Sequence, residues 1–307
     1  ISCFIPGIPH PIAVIYGNRG SSKSTTLKLI RKLIDPANQD LMMLPDDRED
    51  LDLTLSRNHA PCFDNITQLK AWQSDMLCTA STGGGASRRK RFTDSDEIIR
   101  SYQCCPLLNG INLVSDRDDF LDRSILFRLK RIEPEKRKEE SLILKEFEED
   151  YPKILGWIFE TLSKAKHEYT QVELGELPRM ADFCRWGVAI ARAMGEDGDQ
   201  FLKIYKDNIK IATEEAINSN PLGVALIKFI NKCPQLEWEG TMTQLKKELD
   251  EISDIDRSSN WPKAPNVLKR NINSLISTLA ELGVEIQEKH GKERITIIKA
   301  SKEIPLD

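Results

Sequence analysis

The sequence predicts an α/β core, followed by an α-helical region and a C-terminal domain of helices closed by two strands. Three observations carry this. The apolar run Pro11–Tyr16 leads into a loop, Gly17-Asn18-Arg19-Gly20-Ser21-Ser22-Lys23-Ser24-Thr25, and then into the helix-like Thr26–Ile34. Short apolar runs go on alternating with helix-like segments to about residue 130, the pattern of an α/β core. Beyond about residue 133 the chain reads as amphipathic helices, and beyond 221 the pattern changes again.

In chain order, strands are expected at Ile12–Tyr16, Ala60–Phe63, Pro106–Leu108 and Ser124–Leu129, with Leu41–Leu44 a weaker candidate. A helix fits Thr67–Cys78. After it, Gly83-Gly84-Gly85, a run of basic residues and a turn-like Thr93–Glu97 predict a hairpin inserted ahead of the third strand. Helices are expected at Glu135–Asp150, Ile154–Lys166, Pro178–Met194 and Gln200–Ser219, the first two divided by Pro152. Leu222–Asn231, Thr241–Leu249 and Asn266–Leu282 follow as helices, the last ended by Gly283. Strands Val284–Glu288 and Arg294–Ile298 close the chain, and helices with a two-stranded wing make a winged-helix domain. The expected domains are 1–132, 133–220 and 221–307.

The bulk numbers set limits. The 307 residues suffice for about two domains. A net charge of -4 argues against a uniformly basic nucleic-acid coat but leaves room for a local basic patch. No apolar run approaches the roughly 20 residues that span a bilayer, and no signal peptide is evident. Seven cysteines without CxxC or Cys/His ligand spacing read as reduced thiols, so a cytoplasmic, non-membrane protein is expected. The chain opens at Ile1 without an initiator Met and is read as part of a longer polypeptide.

The loop at 17–25 carries the first chemical signal. A strand, a glycine-bearing loop, Lys-Ser and a helix form the context of a phosphate-binding P-loop. Backbone N–H groups there converge on phosphate oxygens, and the helix dipole adds its positive end. Gly17, Gly20, Ser21, Ser22, Lys23, Ser24 and Thr25 are the expected nucleotide-binding residues. The pattern wants glycine at 22 and finds Ser22. Lys23 is the phosphate lysine, and Ser24 the hydroxyl for Mg²⁺. About forty residues on, Phe63-Asp64-Asn65 ends an apolar strand, where Asp64 is the second expected Mg²⁺ residue. Asn65 stands where a water-activating Glu is usual, and an amide is no base; it orients water, or Asp64 or another carboxylate takes the proton. Asp46, Asp47 and Asp50 are the upstream carboxylates to test.

Asn109, at the end of the third strand, is expected to sense the γ-phosphate or the attacking water. Arg123 is read as an arginine finger for a neighbouring subunit. Arg179, with Arg185 second, is read as a cation reaching phosphate from the helical region. Arg88-Arg89-Lys90-Arg91, on the hairpin, is the candidate DNA contact. Each has a plainer reading: a turn Asn, a local salt bridge, a helix-surface ion pair, a solvated charge run.

In this order the motifs resemble the AAA+ ATPase/helicase module of phage and mobile-element replication proteins, similar in layout to superfamily 3 and minichromosome-maintenance-type helicases and often associated with primases. The resemblance rests on the 17–25 loop, Asp46–Leu51, Phe63-Asp64-Asn65, Trp72–Cys78 with Thr82–Gly85, Leu108-Asn109-Gly110, Leu121-Asp122-Arg123 and Leu177–Phe183. It implies an AAA+ P-loop core with an α-helical lid, and a ring of identical subunits, a hexamer. ATP and Mg²⁺ would sit at subunit interfaces, with the hairpin in the pore. The implied activity is ATP-dependent helicase or translocase action on single- or double-stranded DNA, with a primase or polymerase as a further partner. The rival expectation is a non-helicase initiator or loader that binds duplex DNA through the winged helix. Any primase or zinc segment would lie upstream of Ile1.

Overall fold

The computed structural model describes residues 1–89, 97–112, 114–115, 117–252, 261–290 and 294–306. It divides into two compact units, Ile1–Ser115 with Asp119–Ile209, and Asp116–Asp118 with Lys210–Asp307.

The first unit begins with β1 (Ile12–Tyr16), α1 (Lys23–Ile34), α2 (Arg48–Arg57), β2 (Cys62–Ile66) and α3 (Ala71–Thr82). Next come β3 (Gly84–Arg89), β4 (Glu97–Tyr102), β5 (Leu107–Gly110), α4 (Asp118–Leu121) and β6 (Ser124–Arg128). The four core strands form a parallel sheet in the order β2-β5-β1-β6. Their near-continuous apolar character fits a sheet covered on both faces: Ile12, Val14, Phe63 and Leu108 are fully buried. The weaker candidate Leu41–Leu44 contributes one parallel bridge, Met42 beside Phe63, on the outer edge of β2. β3 and β4 form the expected antiparallel hairpin. Lys90, Arg91 and the turn before Glu97 lie outside the described residues.

α5 (Glu140–Tyr169), α6 (Ala181–Ala193) and α7 (Gly198–Ser219) make up the helical region. The two helices expected on either side of Pro152 are one, with Pro152 inside it. Proline forfeits one backbone N–H without compelling a break when the flanking turns hold. Asn208 of α7 brackets the edge strand β6: its Oδ1 accepts from Leu126 N at 2.8 Å, and its Nδ2 donates to Leu126 O at 2.9 Å. A sheet edge is thereby covered.

Arg31 anchors the end of α1 to the start of β2. It is 1% exposed. Its guanidinium donates to Asp35 Oδ2 at 2.6 Å and Asn58 Oδ1 at 2.7 Å, and Asp35 Oδ2 also accepts from Ala60 N at 2.9 Å. Removing one partner strands a buried charge. Arg31→Ala is therefore expected to lower the unfolding free energy by about 3–5 kcal/mol, read by urea titration. Arg31→Lys should recover little of it, because an ammonium cannot reproduce the planar fork.

The second unit holds α8 (Pro221–Lys232), β7 (Glu237–Gly240), α9 (Met242–Glu251), α10 (Pro265–Asn273), α11 (Ile276–Glu281), β8 (Val284–His290) and β9 (Arg294–Ala300). Ala225, Leu245, Leu268, Leu279 and Ile298 belong to its core. Two expectations change here. The helix expected over Asn266–Leu282 is broken at Ser274-Leu275, and the sheet has three strands, β7-β9-β8, because Glu237–Gly240 pairs with β9. Thr241 caps α9 reciprocally with Gln244.

Candidate functional site

The loop after β1 sets the geometry. Ser22 has φ 58° and ψ 27°, the left-handed conformation for which the P-loop pattern uses glycine. The departure thus retains the backbone shape at a strain cost of roughly 1 kcal/mol. Gly17 has φ 144°, and a Cβ there would collide with the Leu129 carbonyl at the end of β6. Lys23 Nζ donates to Gly17 O at 2.7 Å and Asn18 O at 3.1 Å, so the ammonium stands within the loop it closes. The N-terminus of α1 directs its first N–H groups to the same place, an arrangement suited to phosphate.

Two strands, with the start of α1, deliver the next residues. β5 lies between β1 and β2, with Asn109 beside Ile15 and Leu108 beside Phe63. Ser24 Oγ donates to Asp64 Oδ1 at 2.8 Å, and Asn109 Nδ2 donates to the same oxygen at 2.5 Å. Asn109 Oδ1 accepts from the backbone N of Asn65 at 2.7 Å. Asn65 is left-handed (φ 59°), which turns the chain at that point. The structure therefore brings together Lys23, Ser24, Asp64, Asn65 and Asn109, with Asn109 2% exposed. Ser24 and Asp64 offer a hydroxyl and a carboxylate, hard oxygen donors of the kind Mg²⁺ takes. Among the described residues no group of three or more His, Cys, Asp or Glu forms a metal site.

Two residues the sequence reading missed stand against this loop. A Cβ on Gly20 would lie 3.5 Å from Arg137 Nη2 and 3.9 Å from Arg131 Cγ. The segment is held there by Ile132 N donating to Gly20 O at 3.0 Å and by Arg137 Nε donating to Ile132 O at 3.2 Å.

Arg123 and Arg179 are not part of this cluster. Arg123 immediately precedes Ser124, which pairs with Ile12 at the start of β1, whereas the loop leaves the end of β1. At about 3.3 Å per residue, the two ends of β1 are roughly 15 Å apart. Arg123 pairs with Asp119 and donates to the Asp119 carbonyl at 3.0 Å. Arg179 donates to Asp122 Oδ2 at 2.6 Å and also pairs with Asp119. Burial opposes the charge on Arg123, but the Asp119 carboxylate outweighs it and holds the guanidinium above its ordinary value. Burial likewise opposes the charge on Asp119, and the two arginines hold its carboxyl below the usual range. The structure thus places Arg179 beside Arg123 rather than over the loop of its own chain. Arg185 lies over the Tyr169 ring, 4.4 Å from its centroid.

The hairpin is tied to α2 at its base. Arg100 Nη1 donates to Asp52 Oδ2 at 2.6 Å, with the side chains 21% and 7% exposed. Burial, and then the Asp52 carboxylate, push the Tyr102 phenol up to about 12. A Cβ at Gly85 would collide with the Arg100 carbonyl across the pair, so the glycine permits the close approach. Arg88 and Arg89 lie on β3, opposite Ile98 and Glu97. In the second unit, Lys269 pairs with Glu288 at 2.6 Å and Lys289 with Glu239 at 3.9 Å.

A family model described as "Actinomycete integrative conjugative element replication protein" matches residues 1–211, and one described as "AICE RepA C-terminal domain" matches residues 222–305. Two solved structures resemble the chain at 14% identity: the A form apo structure of the NrS-1 C-terminal region, with TM-score 0.37, and the apo structure of the NrS-1 C-terminal region (305–718), with TM-score 0.36. Each alignment takes in 94% of this chain and 66% or 67% of the other, so the chain spans about two thirds of their length. No curated protein matches. No helix among the described residues is long and apolar enough to cross a membrane.

Proposed function

Because the chain belongs to the actinomycete integrative conjugative element replication protein family, and is therefore a replication protein of a mobile element, we propose that it is an AAA+ ATPase that moves or unwinds DNA. The observation that carries this is the convergence of Ser24 and Asn109 on one carboxylate oxygen of Asp64, beside Lys23. Lysine, hydroxyl, carboxylate and amide, delivered by one loop and two neighbouring strands, are the parts phosphoryl transfer to water requires.

In this reading the loop N–H groups, Lys23, Arg131 and Arg137 bind the triphosphate. Ser24 and Asp64 hold Mg²⁺, which neutralises phosphate charge when bound. Asn109 keeps Asp64 in place and fixes the backbone of Asn65, whose side-chain amide orients the attacking water. Arg123, which lies beyond the opposite end of β1 from its own loop, and Arg179, which shares Asp119 with it, serve the nucleotide of an adjacent copy, so one site takes parts from two subunits. Asp119, paired with both, positions them at that end. The AAA+ core, the α5–α7 lid and a winged helix in the second unit describe the architecture.

Nucleotide state reaches DNA through α2. This helix starts directly after the Asp46-Asp47 loop beside β2, and its Asp52 grips Arg100 at the base of the basic hairpin. Arg100→Ala is expected to retain basal ATPase while cutting DNA-stimulated hydrolysis, a coupling loss of about 5–150-fold. Comparing rates with and without single-stranded DNA checks it.

The alternative, an initiator or loader acting through the second unit, requires a cationic surface there. Of the cations there, Lys269 and Lys289 are paired with Glu288 and Glu239. Strand displacement on a forked duplex decides between them. ATP-dependent unwinding lost both in Lys23→Ala and in a variant with Arg88, Arg89, Lys90 and Arg91 neutralised supports the motor. Robust ATP-dependent duplex binding without unwinding supports the initiator.

A further inference from the structure

We infer that Asp46 is the proton acceptor for the attacking water. This rests on the ATPase reading above. Hydrolysis needs a base, and the residue after Asp64 is an amide. Asp64 itself is committed, since one of its oxygens accepts from both Ser24 and Asn109.

The fold separates the three upstream carboxylates. Asp47 caps α2, accepting from Glu49 N at 2.7 Å and Asp50 N at 3.3 Å. Asp50 lies in the first turn of that helix. Asp46 instead lines an open cleft with Asp64, Asn65, Thr67, Lys70 and Gln73, and its carboxylate and that of Asp64 are the two this lining contains.

Asp46 is also held. Lys70 Nζ donates to its Oδ1 at 3.1 Å. The preceding residue is pinned: Gln73 Nε2 donates to Pro45 O at 2.8 Å, while Gln73 Oε1 accepts from Lys70 N at 2.9 Å. Gln73 is 2% exposed. One buried amide therefore fixes both the loop that carries Asp46 and the residue that pairs with it. The Asp46 side chain is 85% exposed, so water has free access.

In the step itself, the water oxygen bonds to the γ-phosphorus. The bond from that phosphorus to the β–γ bridging oxygen breaks, and its electron pair leaves with ADP. The water proton passes to the Asp46 carboxylate, and from there to solvent through the cleft. Asn65 offers its amide to the same water and fixes its direction.

The test compares Asp46→Asn, Asp46→Glu, Asp50→Asn and Lys23→Ala in the full chain. Asp46→Asn is expected to lower kcat by about 10²–10⁴-fold with KM for ATP unchanged. A fluorescent ATP analogue should bind it as tightly as it binds the unmodified chain, which also reports that the loop is folded. Asp46→Glu should restore part of the rate, and Asp50→Asn should leave it intact. If Lys23→Ala is inactive while Asp46→Asn hydrolyses at the full rate, Asp46 is not the base. If Lys23→Ala hydrolyses at the full rate as well, the ATPase reading fails and this inference with it.

Discussion

Lys23→Ala is expected to lose ATP hydrolysis by at least about 10²–10³-fold, the cost of one preorganised electrostatic contact to a transferring group. Lys23 sits in the first turn of α1 with its ammonium against the Gly17 and Asn18 carbonyls, so it is placed before any ligand arrives. The variant should fold normally, because the side chain is bonded to the loop and supports no core. Steady-state phosphate release gives the rate, and an unchanged melting temperature shows that only chemistry was lost. Asp64→Ala should behave alike, with one addition: Ser24 and Asn109 lose their shared acceptor, so ATP binding should weaken at low Mg²⁺ as well.

Arg123→Ala should be the second large effect. A trans-acting arginine contributes about 10³–10⁵ to the rate, while contributing far less to ground-state binding. Hydrolysis is therefore expected to fall by that order with ATP affinity nearly unchanged. Arg179→Ala should fall too, by a smaller factor, because it shares Asp119 with Arg123 and is 42% exposed. The alternative, two arginines that only stabilise the α4–α6 corner, predicts a lower melting temperature and an intact rate. Measuring both separates the readings.

Much of the site was legible because its residues stand at the ends of apolar runs. β1 is Ile12–Tyr16 as expected, and the loop follows it directly. Asp64 was recognisable from its distance to Lys23, although β2 starts later and runs through it to Ile66. What remained hidden was tertiary or disguised. α2 escaped because Leu51, Leu53 and Leu55 alternate like a strand; the helix buries Leu51 and Leu55, four residues apart, and Asp47 caps it. β7 is four residues, Glu-Trp-Glu-Gly, with a weak strand signal. Arg131 and Arg137 lie in a charge-rich stretch with no local pattern, and only the fold brings them to Gly20. Arg179 is expected from the sequence to reach phosphate from the helical region, and no local pattern foretells its pairing with Asp119 and Asp122, which sets it beside Arg123.

The proposed ATPase site is divided between copies of the chain, with Lys23 in one and Arg123 in the next. Mixing Lys23→Ala with Arg123→Ala protein tests it most directly. Each variant alone should be nearly inactive. In a mixed assembly, a Lys23→Ala subunit still donates Arg123 to a neighbour whose loop is intact, so ATPase activity should reappear and pass through a maximum as the ratio is varied. Activity that stays at the level of the separate variants at every ratio, in assemblies shown to contain both, would contradict a shared site.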